Sequence, residues 1–281
     1  MDTGFILCAF ADEAAPDLDS QIAAMKENGI VGLEARSIDG ENISDISPEK
    51  AREVKRKLED NGLMLWSAGS PIGKVKITDD FPSHLEKLRH TIETARILEA
   101  KYIRIFSFYL DGLDPAACKN EVIDRLGRMQ ELTAGSGVTL CHENEKGIYG
   151  DLPERCLDLL TAVPQLRAVY DAANFIQCGA DPMAAWQMLA PFVEYLHVKD
   201  ADVSGVNVPA GEGVGRLPEI LALYRKQGGR GLTLEPHLFQ FAGLARLEHG
   251  GGDGYVKNRL SSARAAFDWG VKAMKQLIDQ L

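Results

Sequence analysis

The 281-residue chain lacks a cysteine framework: Cys8, Cys118, Cys141, Cys156 and Cys178 are odd in number, scattered, and form no CxxC pair. That excludes a disulfide scaffold and a structural zinc knuckle, and it suits a reducing compartment. The chain also lacks any run of about 18 apolar residues, so no membrane span is expected. A leader peptide is not expected either, because MDTGFILCAFADE carries acids where a signal sequence carries basic residues. Together these absences predict a cytoplasmic protein. Positive charge is in deficit, with 31 basic against 41 acidic side chains and a net charge of −10. A field of that sign repels phosphate, which argues against nucleic acid or an anionic membrane as the main partner. The first apolar run leads into Ala11-Asp12-Glu13-Ala14-Ala15-Pro16, without the GxGxxG turn of a dinucleotide-binding sheet.

What is present is an ordinary globular composition, 45% hydrophobic and 26% charged, arranged as an alternation. Eight short apolar runs rich in β-formers are each followed by a longer segment with helical spacing. They are residues 5–10, 30–35, 63–68, 102–108, 138–143, 166–171, 193–200 and 231–236. The apolar steps Leu18-Ile22-Met25 and Leu85-Leu88-Ile92-Ala95 mark helices with one buried stripe. Ser47-Pro48-Glu49 reads as an N-cap with proline at the first helical position, and Asn28-Gly29, Asn61-Gly62 and Gly228-Gly229 read as helix stops. Strands that are continuously apolar, rather than alternating, are covered on both faces, as in a parallel sheet. Eight strand–helix units in a chain of this length predict one α/β domain over residues 1–281, a (β/α)8 TIM barrel. A doubly wound sheet is the weaker reading.

In such a barrel the C-terminal ends of the strands form the active face. The last four runs end at Glu143, Asp171, His197 and Glu235. Taken singly, a glutamate at a strand end reads as a solvated or salt-bridged residue, and His197 as a hydrogen-bonded core histidine. Four compatible groups on consecutive strands point elsewhere. Three carboxylates converging on a partly buried mouth repel one another unless a cation joins them, and a mixed Asp/Glu/His set suits manganese, zinc, magnesium or cobalt.

The ordered pieces GLEARSI, SPIGK, YIRIFSFY, HENEKGIYGDLPERC, YDAANF, LHVKDAD and LEPHL span nearly the whole chain. Their set resembles the xylose-isomerase-like barrel superfamily of sugar and sugar-phosphate isomerases and epimerases, inosose dehydratases and apurinic endonucleases. The resemblance implies one divalent metal held by Glu143, Asp171, His197 and Glu235, with Glu143 and Glu235 moving protons on a ketose or polyol substrate through an enediolate. Epimerisation, aldose–ketose isomerisation and, as the alternative, dehydration of an inosose-like keto-polyol all use that chemistry. Asn174 stands where many members carry histidine, and it cannot titrate. Lys199, Asn174, His237, Glu34, Arg36 and Trp66 are further candidates for substrate contact, whereas His142 should face away from the site. The endonuclease branch needs extra histidines on earlier strands, and strands three and four end in Ser67-Ala68 and Ser107. The glycine-rich stretches 211–215 and 250–254 read as loops or lids rather than phosphate sites. A small-molecule partner is expected, and the resemblance also implies a homodimer or homotetramer.

Overall fold

Each of the eight apolar runs forms a strand in this computed structural model, which describes residues 4–241, 255–257 and 260–281. The strands are β1 (Ile6–Ala9), β2 (Gly32–Ala35), β3 (Met64–Gly69) and β4 (Tyr102–Ile105), then β5 (Thr139–Glu143), β6 (Arg167–Asp171), β7 (Val193–Val198) and β8 (Gly231–Leu234). All pair in parallel with their neighbours in sequence, and β1 closes the ring against β8, Ile6 lying opposite Gly231. The chain is thus a single (β/α)8 barrel. Two short antiparallel ribbons, Ser37–Ile38 with Glu41–Asn42 and Asp200–Ala201 with Asn207–Val208, sit outside the ring.

The barrel wall is ringed by α1 (Leu18–Glu27), α2 (Pro48–Asp60), α3 (Phe81–Ile97), α4 (Pro115–Thr133), α5 (Pro153–Ala162), the short α6 (Ala172–Gln177), α7 (Pro182–Leu189), α8 (Leu217–Lys226) and α9 (Ala263–Asp279). The start signals work as read: Ser47 Oγ accepts the Lys50 N–H ahead of α2. Gly29, Gly62 and Gly228, past the ends of α1, α2 and α8, hold φ of 58°, 69° and 88°, where a side chain would be strained. Helix α9 buries Phe267, Val271, Met274 and Ile278. Its Gly270 lets Pro236 approach so closely that a Cβ there would lie 2.8 Å from the proline ring. It therefore closes the barrel wall beside β8. Among the described residues no helix is long and apolar enough to cross a membrane.

Inside the ring, side chains two apart on each strand stack in layers. The lower layer is apolar: Cys8, Trp66, Cys141, Val169 and Tyr195. Trp66 is the extra residue where the β2–β3 register shifts, Leu33 pairing with Leu65 and Glu34 with Ser67. Its ring fits because β8 offers Gly231 opposite; a Cβ there would lie 2.4 Å from the indole. Above that layer the column turns polar, with Glu34, Arg104, Glu143 and His197 all at most 3% exposed. That reversal sets the site.

Two histidines outside the mouth make the fold acid-sensitive. His142 Nε2 lies 2.9 Å from Ser107 Oγ, and burial lowers its pKa to about 3. His84 Nε2 accepts the Gly73 N–H at 2.8 Å, and burial, helped by Lys87 and Arg125, lowers its pKa to about 4. Both bind their protons more readily when unfolded, so their stabilisation is complete above about pH 6.5 and is lost as pH falls toward 4. Denaturant midpoints measured between pH 7 and 4.5 should fall, and His84→Gln should flatten the slope. An unchanged slope would remove His84 from the account.

Candidate metal centre

Four side chains meet at the C-terminal mouth, and each is held by one polar atom while it presents another. Asp171 caps α6: its Oδ1 accepts the Asn174 N–H at 2.9 Å, so Oδ2 turns into the mouth, where it accepts no hydrogen bond. Glu143 pairs through Oε2 with Arg104 Nη1 at 3.1 Å and turns Oε1 to His197 Nδ1 at 3.1 Å. Glu235, one residue past β8, pairs through Oε1 with Arg36 Nη1 at 2.8 Å and places Oε2 3.3 Å from His197 Nδ1. His197 lies with Nε2 3.3 Å from Glu34 Oε2, which favours that nitrogen as the N–H and leaves Nδ1 as the ligand atom. One ligand atom from each of the four lies within 4.8 Å of the others, and all four residues are buried.

The electrostatics favour a cation. Burial, opposed by Lys199 but reinforced by Glu235 and Glu143, pushes Asp171 up to about 6. Burial disfavours charge on His197, yet Glu143 and Glu34 outweigh it and hold its pKa well above the ordinary value. Three buried carboxylates and an imidazole, with the Lys199 ammonium 3.1 Å from Asp171 Oδ2 as a counter-charge, form a donor set that fits a divalent ion. The residues present therefore suit the metal that the motif set implies.

The structure places the remaining sequence-derived candidates unequally. Lys199 Nζ lies 3.1 Å from Asp171 Oδ2 and 3.3 Å from Glu235 Oε2, rather than against Asp200 or Asp202. Asn174 donates to Asn144 O at 2.9 Å and to Glu143 Oε1 at 3.3 Å, and it lines a small recess at the mouth, its Oδ1 without a hydrogen-bond partner. His237 lines the same recess with φ of 45°, its N–H donating to Glu13 Oε2 at 2.9 Å. Arg36 also lines it, but its guanidinium is largely spent on Asp12, Glu13 and Glu235.

Two expectations need correction. Glu34 does not reach the recess: it is fully buried, accepts the Tyr195 O–H at 2.8 Å, and supports His197 from below. Trp66 lies in the lower layer and lines a recess at the opposite, N-terminal end of the barrel, so it does not wall this site. The bulge in β3 is the cause. Glu34→Gln should weaken Mn2+ binding by about 10- to 100-fold, because the amide no longer enforces the Nδ1 lone pair. Calorimetry reads this directly, and parental affinity in the variant would refute the orienting role.

Sequence reasoning missed Asp12 and Glu13, which lie beyond the end of β1 in a single 3-10 turn, Ala11–Glu13. Burial, with Arg36 opposing and Glu235 reinforcing, pushes Glu13 up to about 8. Glu13, Glu235 and His237 form a second cluster of donor atoms within 4.8 Å, but Arg36 Nη1 and Nη2 already stand 2.8 Å and 3.3 Å from its carboxylates. It is an ion-pair cluster. Arg104 was also missed; its signal was an arginine inside an apolar strand, YIRI. Asn144 was missed too, and it clasps the Asp171 backbone through both amide atoms.

The first glycine-rich stretch has a structural task. Asp200 accepts N–H groups from Ala201, Gly211, Gly213 and Gly215 at 2.9 to 3.1 Å. A Cβ on Gly213 or Gly215 would fall 2.3 Å or 2.6 Å from that carboxylate. The second stretch, 250–254, lies outside the described residues.

Known proteins share this architecture. A family model described as xylose isomerase-like TIM barrel matches residues 22–250. A 3-dehydroshikimate dehydratase from Bacillus anthracis is 24% identical over 177 residues, which cover 62% of this chain and 63% of that protein's length. The structure of the IolI protein with a bound zinc atom superposes with a TM-score of 0.75 at 14% identity, covering 98% of this chain and 99% of that one. An L-ribulose 3-epimerase superposes with a TM-score of 0.75 at 16% identity, covering 98% and 94%. With eight parallel strands closed in sequence order and a family model matched over residues 22–250, the chain belongs to the xylose isomerase-like TIM barrel family.

Proposed function

We propose that the protein is a divalent-metal-dependent enzyme that moves a proton on the carbon beside the carbonyl of a hydroxy-ketone, acting as an isomerase or epimerase. The observation that supports this reading is that four buried strand-end residues bring one possible ligand atom each within 4.8 Å of the others while a supporting partner holds the second atom. When bound, the ion supplies Lewis-acid polarisation of the carbonyl and stabilises the charge left by proton removal. Glu143 and Glu235 stand at the ends of β5 and β8, with two strands between them. One takes the α-proton and the other returns it, each steadied by an arginine through its second oxygen. Asn174 Oδ1, without a partner, accepts a substrate hydroxyl.

A second reading, loss of a β-hydroxyl as water, is favoured by the dehydratase from Bacillus anthracis. It uses the same first proton step. Mn2+-loaded protein in deuterium oxide, offered free ketoses, inososes and cyclic hydroxy-keto acids, should place deuterium on the α-carbon of at least one. Return of deuterated epimer or isomer marks the first reading, and an enone product marks the second. Mn2+-loaded protein that exchanges no α-proton in any of them refutes both.

A further inference from the structure

Two buried side-chain amides line the mouth recess, Asn174 at 1% exposure and Asn207 at 2%. Among the described residues, Asn174 Oδ1 and Asn207 Nδ2 have no hydrogen-bond partner. The neighbours of each amide fix which of its atoms is left. The Asn144 carbonyl can only accept, so the Asn174 group 2.9 Å from it is the NH2, and Oδ1 remains. The Lys146 ammonium can only donate, so Gln177 turns Oε1 to it at 3.3 Å. Gln177 Nε2 then donates to Gly205 O at 3.1 Å and to Asn207 Oδ1 at 3.3 Å, which leaves Asn207 Nδ2 as a donor. The recess thus offers an acceptor from one amide and a donor from the other.

The two amides are anchored at different places. Asn174 borders the metal centre, its NH2 group 3.3 Å from Glu143 Oε1. Asn207 lies on the ribbon that follows β7, opposite Ala201, and it meets α6 only at Gln177. Gln177 is three residues on from Asn174, so about 5 Å of helix separates the two attachments. The ribbon is tied down at its tip, where Asp202 Oδ1 accepts the Ser204 and Val206 N–H groups at 2.8 Å and 3.1 Å. A buried donor or acceptor without a partner is costly, and a ligand that supplies the bond recovers that cost.

We propose that Asn207 is a specificity-determining residue: Asn174 accepts a hydroxyl beside the reacting carbons, and Asn207 donates to a second hydroxyl farther along the same substrate. The substrate is then a ketone hydroxylated beyond the reacting pair of carbons, not a three-carbon unit. This rests on the reading above that the protein moves a proton beside a ketone at the four-residue centre. A hydroxyl suits this position better than an ionic group. The donor is a neutral amide, and Glu145 already stands 3.0 Å from Lys74 Nζ and 3.9 Å from Lys146 Nζ.

Dihydroxyacetone is the discriminating probe, since it supplies the carbonyl and the hydroxyls beside it and nothing beyond. With Mn2+ saturating, kcat/KM for loss of the α-proton is measured for it and for the ketoses, inososes and cyclic hydroxy-keto acids offered above. At least one longer ketone should exceed dihydroxyacetone by about tenfold or more, the scale of a buried hydrogen bond left unmade. Asn207→Leu is close in shape, keeps the charge of the mouth and has no donor, and it should cut that ratio by about tenfold. Asn207→Ala, which adds no bulk, should do the same. Dihydroxyacetone that matches every longer ketone, or a ratio unchanged in both variants, overturns the proposal and leaves the proton-transfer reading standing. Equal slowing of all ketones, the mark of a residue that only shapes the mouth, overturns it in the same way. Loss of the α-proton from no ketone at all overturns both.

Discussion

Asp171→Asn should lower Mn2+ affinity by more than about 100-fold, a larger loss than the 10- to 100-fold expected when only a supporting partner is removed. The substitution separates two jobs done by one side chain. Asparagine is an adequate N-cap, so its amide oxygen can take the Asn174 N–H and keep the start of α6. Its NH2 group then sits where Oδ2 faces the mouth, and it is a donor with no lone pair to offer. Metal-free Asp171→Asn should therefore unfold near the parental temperature, while the rise in Tm that Mn2+ confers on the parent is lost. Glu143→Gln should behave alike, since its Oε1 is the ligand atom and its Oε2 the partner of Arg104. Parental Mn2+ affinity in both variants would sink the four-residue centre.

Arg36→Met should destabilise the protein by about 3–5 kcal/mol, the cost of leaving buried charge without its counter-ion. Arg36 is 3% exposed and joins three carboxylates from two segments: Asp12 and Glu13 in the turn after β1, and Glu235 after β8. Methionine fills the volume, so the loss would be electrostatic rather than a cavity. Arg36→Lys should recover little, because one ammonium cannot reproduce a fork bonded to Asp12 through Nε and Nη2 while Nη1 holds Glu235. Urea midpoints with and without Asp12→Asn provide the check. The double variant Asp12→Asn/Arg36→Met should regain part of the stability, as one stranded charge is gone. A loss below about 1 kcal/mol in Arg36→Met would mean that the carboxylates are solvated or protonated, and the network would not hold the β1–β8 seam.

Particular residues show how far the sequence carried. The run VEYLHVKD was legible as a strand whose His197 and Lys199 share a face, because side chains two apart on a strand point the same way. Glu143 and Asp171 were legible for the same kind of reason, each being the last residue of an apolar run. Glu34, next to last in its run, misled. It follows Leu33 at a register shift and lies one layer lower than Glu143, under His197 instead of beside a substrate. Trp66 went to the far end of the barrel at that same shift. No local pattern announces a bulge between two strands, since it belongs to their pairing.

The sequence by itself determined the architecture and the metal-ligand candidates: periodicity dictates strands and helices, and strand ends mark the active face. Only the tertiary structure decided which oxygen of each carboxylate is spent and which is offered. Arg104 and Arg36 reach Glu143 and Glu235 from about 40 and 200 positions away in the chain, and Lys199 meets Asp171 from the neighbouring strand. The first and third of these join neighbouring strands, whereas Arg36 meets Glu235 only because barrel closure brings β1, β2 and β8 together at one rim. Charge compensation in a buried mouth acts through space over a few ångströms, whereas sequence patterns register neighbours along the chain.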